Sequence, residues 1–116
     1  MNDLDHKLAE QVMGWRLEGA YWVEYVDYPE VPGSSKIPEG RWHKDGWSPS
    51  ENIDQAFMVV EKLHEREYRL QLEHIYRSLD WRASLFADDR AKRGYGYAES
   101  PSMAICLAAE MVLEAT

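Results

Sequence analysis

Leu4, Leu8 and Val12 stand four residues apart in an otherwise polar opening stretch, a spacing that predicts a helix over about Asp3 to Met13. Asn2 or Asp3 can cap its first turn, and Gly14 is placed to end it. A second helical period begins after Trp47. Ser48, Pro49 and Glu51 fall at the N-cap, first and third positions of a capping box, and the apolar face is Ile53, Ala56, Phe57, Val60 and Leu63. The third helix opens with the same cap-then-proline device at Ser100-Pro101 and runs to about Glu114. Its girth is mostly apolar through Ala104, Ile105, Cys106, Leu107, Ala108, Met111 and Val112, so it should be the most buried of the three.

Between the second and third helices the period falls to two. Tyr68, Leu70 and Leu72 alternate with Arg69, Gln71 and Glu73, and Trp81, Ala83 and Leu85 alternate with Arg82 and Ser84. Tyr95 to Ala98 makes a short third strand after a polar turn at Asp88 to Arg93. Three strands joined by short turns predict an antiparallel sheet. Tyr21 to Val26, aromatic and β-branched, is either a further strand or one arm of a long hairpin. Prolines 29, 32 and 38 and glycines 33, 40 and 46 punctuate the stretch from Tyr28 to Trp47, which predicts an irregular excursion. The order predicts one α+β domain over residues 1–116. It is an alpha/beta/alpha sandwich whose helices cover a three-stranded antiparallel sheet, four-stranded if Tyr21 to Val26 joins it.

Composition narrows the function. With 116 residues the chain can bury one core, about two-thirds of its unfolded surface. The net charge of −8 speaks against a grip on phosphate backbones, which takes clustered Lys and Arg. Mimicry of a nucleic acid is the sharper reading of that acidity and solubility the plainer one; the 13 basic residues mixed among the acids favour solubility. Cys106 is the single cysteine, which suits a reducing cytoplasm, and the first residues lack a basic-then-apolar secretory pattern.

Three blocks together suggest a family. Leu8-Ala9-Glu10-Gln11-Val12-Met13-Gly14-Trp15, the Trp47 to Leu63 block and Ser100 to Ala109 resemble, in that order, the opening motif, central helix and C-terminal helix of the phage ABA-sandwich domain proteins. The resemblance implies a phage or prophage origin, residence in the bacterial host and an alpha/beta/alpha layered fold. It assigns no catalytic or binding residue, and Ala20 to Gly46 aligns with none of its motifs.

Candidate chemistry is sparse. His6, His43, His64 and His74 lack the close pairing of a zinc site, and Cys106 lies in the most apolar helix, so no metal and no cofactor is expected. No nucleophile motif appears, and Glu24 with Asp27 or Asp88 with Asp89 are more simply solvated surface acids, so the residues lean away from an enzyme. Arg90, Lys92 and Arg93 precede Gly94-Tyr95-Gly96-Tyr97 and the start of the third helix. Basic groups, glycines, tyrosines that can stack and a helix N-terminus together could hold a small anion; a basic turn leading into a strand is the plainer reading. Trp22, Tyr25, Tyr28 and Trp42 crowd the irregular segment, either as a binding surface or as anchors pinning it to the core, while Trp47 is expected to pack beneath the second helix. An α-β-β-β-α order is shared with double-stranded RNA-binding domains, but Ser100 to Met103 carries no lysine where those place theirs. The expectation is an accessory protein that binds a host or phage protein, with a small-anion binder and a homo-oligomer as alternatives.

Overall fold

The structure, a computed structural model, describes residues 3–27, 36–78, 80–87 and 93–114. They form α1 (Asp3–Gln11), β1 (Arg16–Glu18), β2 (Tyr21–Asp27), β3 (Lys36–His43), a 3-10 turn at Lys44–Gly46, α2 (Ile53–His64), β4 (Arg69–Ile75), β5 (Asp80–Phe86), β6 (Arg93–Ala98) and α3 (Pro101–Glu114). The class is α+β, and β4, β5 and β6 make the expected antiparallel sheet in that order. In the first half, α1 and a Tyr21–Asp27 strand stand where expected, and β2 is one arm of an antiparallel pair with β3. The departure is that β2 joins a second antiparallel sheet, β1-β2-β3, and that Lys36–His43 is a strand where proline and glycine predicted irregularity. That punctuation is absorbed at the edge. β3 is a border strand, where a proline removes no ladder bond, and the register slips between Glu24 and Tyr25, which oppose Gly40 and Pro38. Residues 28–35 lie outside the described residues.

α3 lies directly on the β4-β5-β6 sheet, and α1 and α2 both pack against it. Its contact with β6 requires glycine. A Cβ on Gly96 would stand 2.0 Å from the carbonyl oxygen of Ala104, and one on Gly94 would stand 2.1 Å from that of Ala108. Alanines four residues apart on the helix meet glycines two apart on the strand, so the two backbones touch. As expected, α3 is the most buried helix, hiding Ser102, Ala104, Ile105, Cys106, Ala108, Ala109 and Val112.

The helix ends are more varied than the caps predicted. Ser100 caps α3 as expected, its hydroxyl accepting the Met103 N–H at 3.2 Å. Gly14 closes α1 with φ +72°, and the Arg66 guanidinium donates to the free carbonyls of Gln11 and Val12. Ser48, however, does not cap α2. It opens a separate turn whose carbonyl accepts the N–H groups of Glu51 and Asn52, and Asn52 is the cap, accepting the Gln55 N–H at 3.1 Å. The turn is used to reach α1: Ser50 donates its N–H (3.0 Å) and its hydroxyl (2.9 Å) to the two oxygens of the Asp5 carboxyl. The buried stripe of α2 is consequently Ala56, Val59 and Leu63, and the predicted core positions Ile53 and Phe57 remain open.

Asp5 ties three elements together. Its backbone carbonyl accepts the indole N–H of the fully buried Trp47 at 2.9 Å, and the Ser102 hydroxyl of α3 donates to the Ser50 carbonyl at 3.1 Å. Burial lifts the Asp5 carboxyl above its ordinary range, against the opposing pull of the two Ser50 hydrogen bonds. The native state therefore holds this proton more tightly than the unfolded chain, and the charge costs stability as pH rises through the carboxylate range.

Two predictions follow from packing. Gly96→Ala should lower the unfolding free energy by about 2–3 kcal/mol or more, since helix backbone cannot step aside. Gly46→Ala, where nothing lies within 4 Å of the added carbon, should stay within about 0.5 kcal/mol; urea denaturation measures both. Asp5→Ala should cost about 1–3 kcal/mol by stranding the buried Ser50 donors, and Asp5→Asn distinctly less. Denaturation between pH 3 and 7 should show wild type losing ground to Asp5→Asn as pH rises.

Candidate functional site

Cross-strand register sorts the side chains of the β4-β5-β6 sheet into alternate rows. Leu70, Leu85 and Gly94 form one inward row, and Leu72, Ala83 and Gly96 another. The outward rows are Arg69-Phe86-Arg93, Gln71-Ser84-Tyr95 and Glu73-Arg82-Tyr97. No described element covers this outer face, with Tyr95 at 40% and Tyr97 at 57% exposure. Three arginines and three aromatic rings thus share one surface of an acidic chain. A shallow groove of about 320 Å³ runs over it, walled by Arg82, Arg93, Tyr95, Phe86, Gln71 and Ser84. Arg82 is paired with Glu73 across the strands, and the Arg93 guanidinium donates to the Tyr95 hydroxyl at 3.3 Å. The outer edge of β6 is guarded by α3, where Met111 Sδ accepts the Tyr95 N–H.

Of the residues singled out in sequence, Arg93, Tyr95 and Tyr97 meet on this face, while Arg90 and Lys92 lie outside the described residues. The imagined anion cradle is not assembled as expected. Gly94 and Gly96 point inward and admit α3, not a ligand, and α3 runs antiparallel to β6, so its N-terminus lies at the end of the strand away from Arg93. The sequence pattern marks Arg69, Gln71, Arg82 and Ser84 only as polar strand positions and does not single out Phe86. Alternation put the polar ones on one side of each strand, but their meeting with Tyr95 and Tyr97 needs the register.

The aromatic segment divides differently. Trp22 is fully buried, edge-on to His6 at 4.9 Å between ring centres, and is a core residue; Tyr28 lies outside the described residues. Tyr25 donates its hydroxyl to Glu18 at 2.5 Å and lies under Arg16; the carboxylate holds the phenol above its ordinary range. Trp42 is half-buried and stacks on Trp15, ring centres 4.2 Å apart, and Trp15 in turn meets Trp47 edge-on at 4.6 Å. Trp47 packs inside, as expected.

Among the described residues no three His, Cys, Asp or Glu side chains converge as metal ligands. His6 pairs with Glu10, His43 with Asp45, and His64 faces the Tyr68 carbonyl. Asp88 and Asp89 lie outside the described residues, as does the side chain of Asp27. No described helix is long and apolar enough to cross a membrane. Cys106 is buried in α3, and burial, reinforced by the nearby Asp5 charge, pushes its thiol well above its ordinary range. A thiol reagent at pH 8 should accordingly leave the native protein unlabelled and modify one site per chain in denaturant; rapid native labelling would contradict the packing of α3.

The Phage ABA sandwich domain family matches residues 6–109. The crystal structure of a phage protein from Bacillus cereus ATCC 14579 superposes with a TM-score of 0.66 at 21% identity, over 98% of this chain and 89% of that one, so the fold is shared. No curated protein matches.

Proposed function

The chain belongs to the Phage ABA sandwich domain family, and from that premise we propose that it is a non-enzymatic phage accessory protein whose outer β4-β5-β6 face binds a host or phage protein. One observation carries the reading: a rigid sheet holds Arg69, Arg82, Arg93, Phe86, Tyr95 and Tyr97 on a single uncovered surface. Arg and Tyr are the residues that most often dominate binding energy, and on strands they are presented with little ordering cost. Charge selects the partner. The rest of the chain is strongly acidic and repels acidic proteins, while this face offers arginines, so the partner should present carboxylates there.

The groove on the same face supports a second reading, a small anionic and aromatic ligand such as a nucleotide. Arg82 and Arg93 would meet its charge, Tyr95 would stack on its ring, and Gln71 and Ser84 would accept or donate hydrogen bonds. A homo-oligomer built on the exposed tyrosines is the remaining alternative.

Native mass spectrometry of protein purified gently from an infected bacterial host separates the three readings. A co-eluting second protein that Arg93→Ala/Tyr97→Ala weakens by about thirtyfold or more supports the protein partner, and undiminished association removes this face from the function. Extra mass of a few hundred daltons (on the order of one nucleotide) favours the small ligand. That ligand at a hundred times its dissociation constant should then stabilise the fold by about 2.7 kcal/mol, and Arg93→Ala should abolish the shift.

A further inference from the structure

A second cleft, also about 320 Å³, opens where the β1-β2-β3 sheet meets α2. Its sheet side holds Trp15, Trp42 and Glu24. Its helix side holds Met58, Glu61, Lys62 and Glu65, which at intervals of three and four residues share one face of the end of α2. Three carboxylates therefore face one ammonium, and Lys62 is already paired with Glu65 at 3.6 Å. Glu24 and Glu61 make no ion pair among the described residues.

The aromatic wall is organised around those acids. Trp15 covers one face of Trp42 in a near-parallel stack, 13° between planes, and Trp42 remains half-buried at the cleft. Gly40 lets the Trp42 ring lie over β3. Cη2 of that ring is 2.9 Å, and the Glu24 carboxylate oxygen 3.4 Å, from the point a Gly40 Cβ would occupy. A negative oxygen and an electron-rich ring thus flank the same small space. Trp15, 4% exposed, also keeps a buried indole N–H with no acceptor among the described residues. Such an orphaned donor on a residue that lines the cleft is uncommon.

We propose that this cleft receives an arginine side chain of a protein partner, its guanidinium stacked on Trp42 and hydrogen-bonded to Glu24 and Glu61. A guanidinium combines a flat face for the indole with N–H groups for the carboxylates. A quaternary ammonium could use the ring but not the hydrogen bonds, and a single stacked ring is no aromatic cage. The proposal is independent of the outer face of the other sheet, which offers the opposite charge.

The test uses the intact protein and two small probes, N-acetyl-arginine amide and its neutral isostere N-acetyl-citrulline amide. Indole N–H resonances are assigned by Trp→Phe substitution at 15 and 42 and followed by NMR titration. Saturable shifts of both resonances with the arginine probe, absent with citrulline, are expected. Glu24→Gln/Glu61→Gln should weaken the arginine affinity by about fivefold or more while leaving the remaining indole resonances in place, which also shows that the variant is folded. No saturable shift, an equal response to citrulline, or an unchanged affinity in the double variant overturns the proposal. Variants at Arg93 and Tyr97 should leave this titration unaltered, so the two surfaces fail or succeed separately.

Discussion

The buried carboxyl of Asp5 is the constraint on which the arrangement of helices depends. It enters the core on α1, takes both donors of Ser50, and shares its residue's carbonyl with Trp47, while Ser102 of α3 reaches the Ser50 carbonyl. Removing an acid from water is costly, so it is retained only where its partners are fixed. Here those partners define how the turn before α2 sits against α1 and α3. The cost appears elsewhere too: the Ser48–Asn52 segment gives up its place as the first turn of α2, and the helix begins at Ile53 with Asn52 as its cap.

Around that knot, close packing on one face of a sheet leaves its other face free. Because α3 rests on Gly94 and Gly96, the alternating Tyr95 and Tyr97 must point away from it. The same two-residue period that builds the core therefore builds the outer surface, and the sheet's register brings Arg82 and Arg93 beside the tyrosines. Charge is distributed to match. Arginines gather on the outer face, whereas Glu24, Glu61 and Glu65 gather at the Trp42 cleft, so one small acidic domain presents two electrostatically distinct surfaces.

Much of the second half was legible from pattern alone. The alternation from Tyr68 to Leu85, the Ser100-Pro101 start and the apolar girth of α3 all correspond to observed elements, because there local preference and burial agree. The first half was less legible. Pro38 and Gly40 carry the composition of a loop but lie in an edge strand with a bulge, where a partner strand overrides local propensity. Trp22 and Trp42 were equivalent as candidate binding residues, yet one is core and the other half-buried at a cleft, a difference made by packing against α1 and Trp15.

Sequence by itself determined the class, the family, the four elements from β4 to α3 and which residues of each strand would be apolar, since these follow from periods and caps within a few neighbouring residues. Only the tertiary structure decided that the aromatic segment forms its own sheet, that α2 buries Val59 in place of Phe57, and that side chains from three strands meet as one arginine and tyrosine surface. Each of those outcomes depends on contacts between residues far apart in the chain. Their energy exists only once the backbone has brought them together, so no local pattern can encode them.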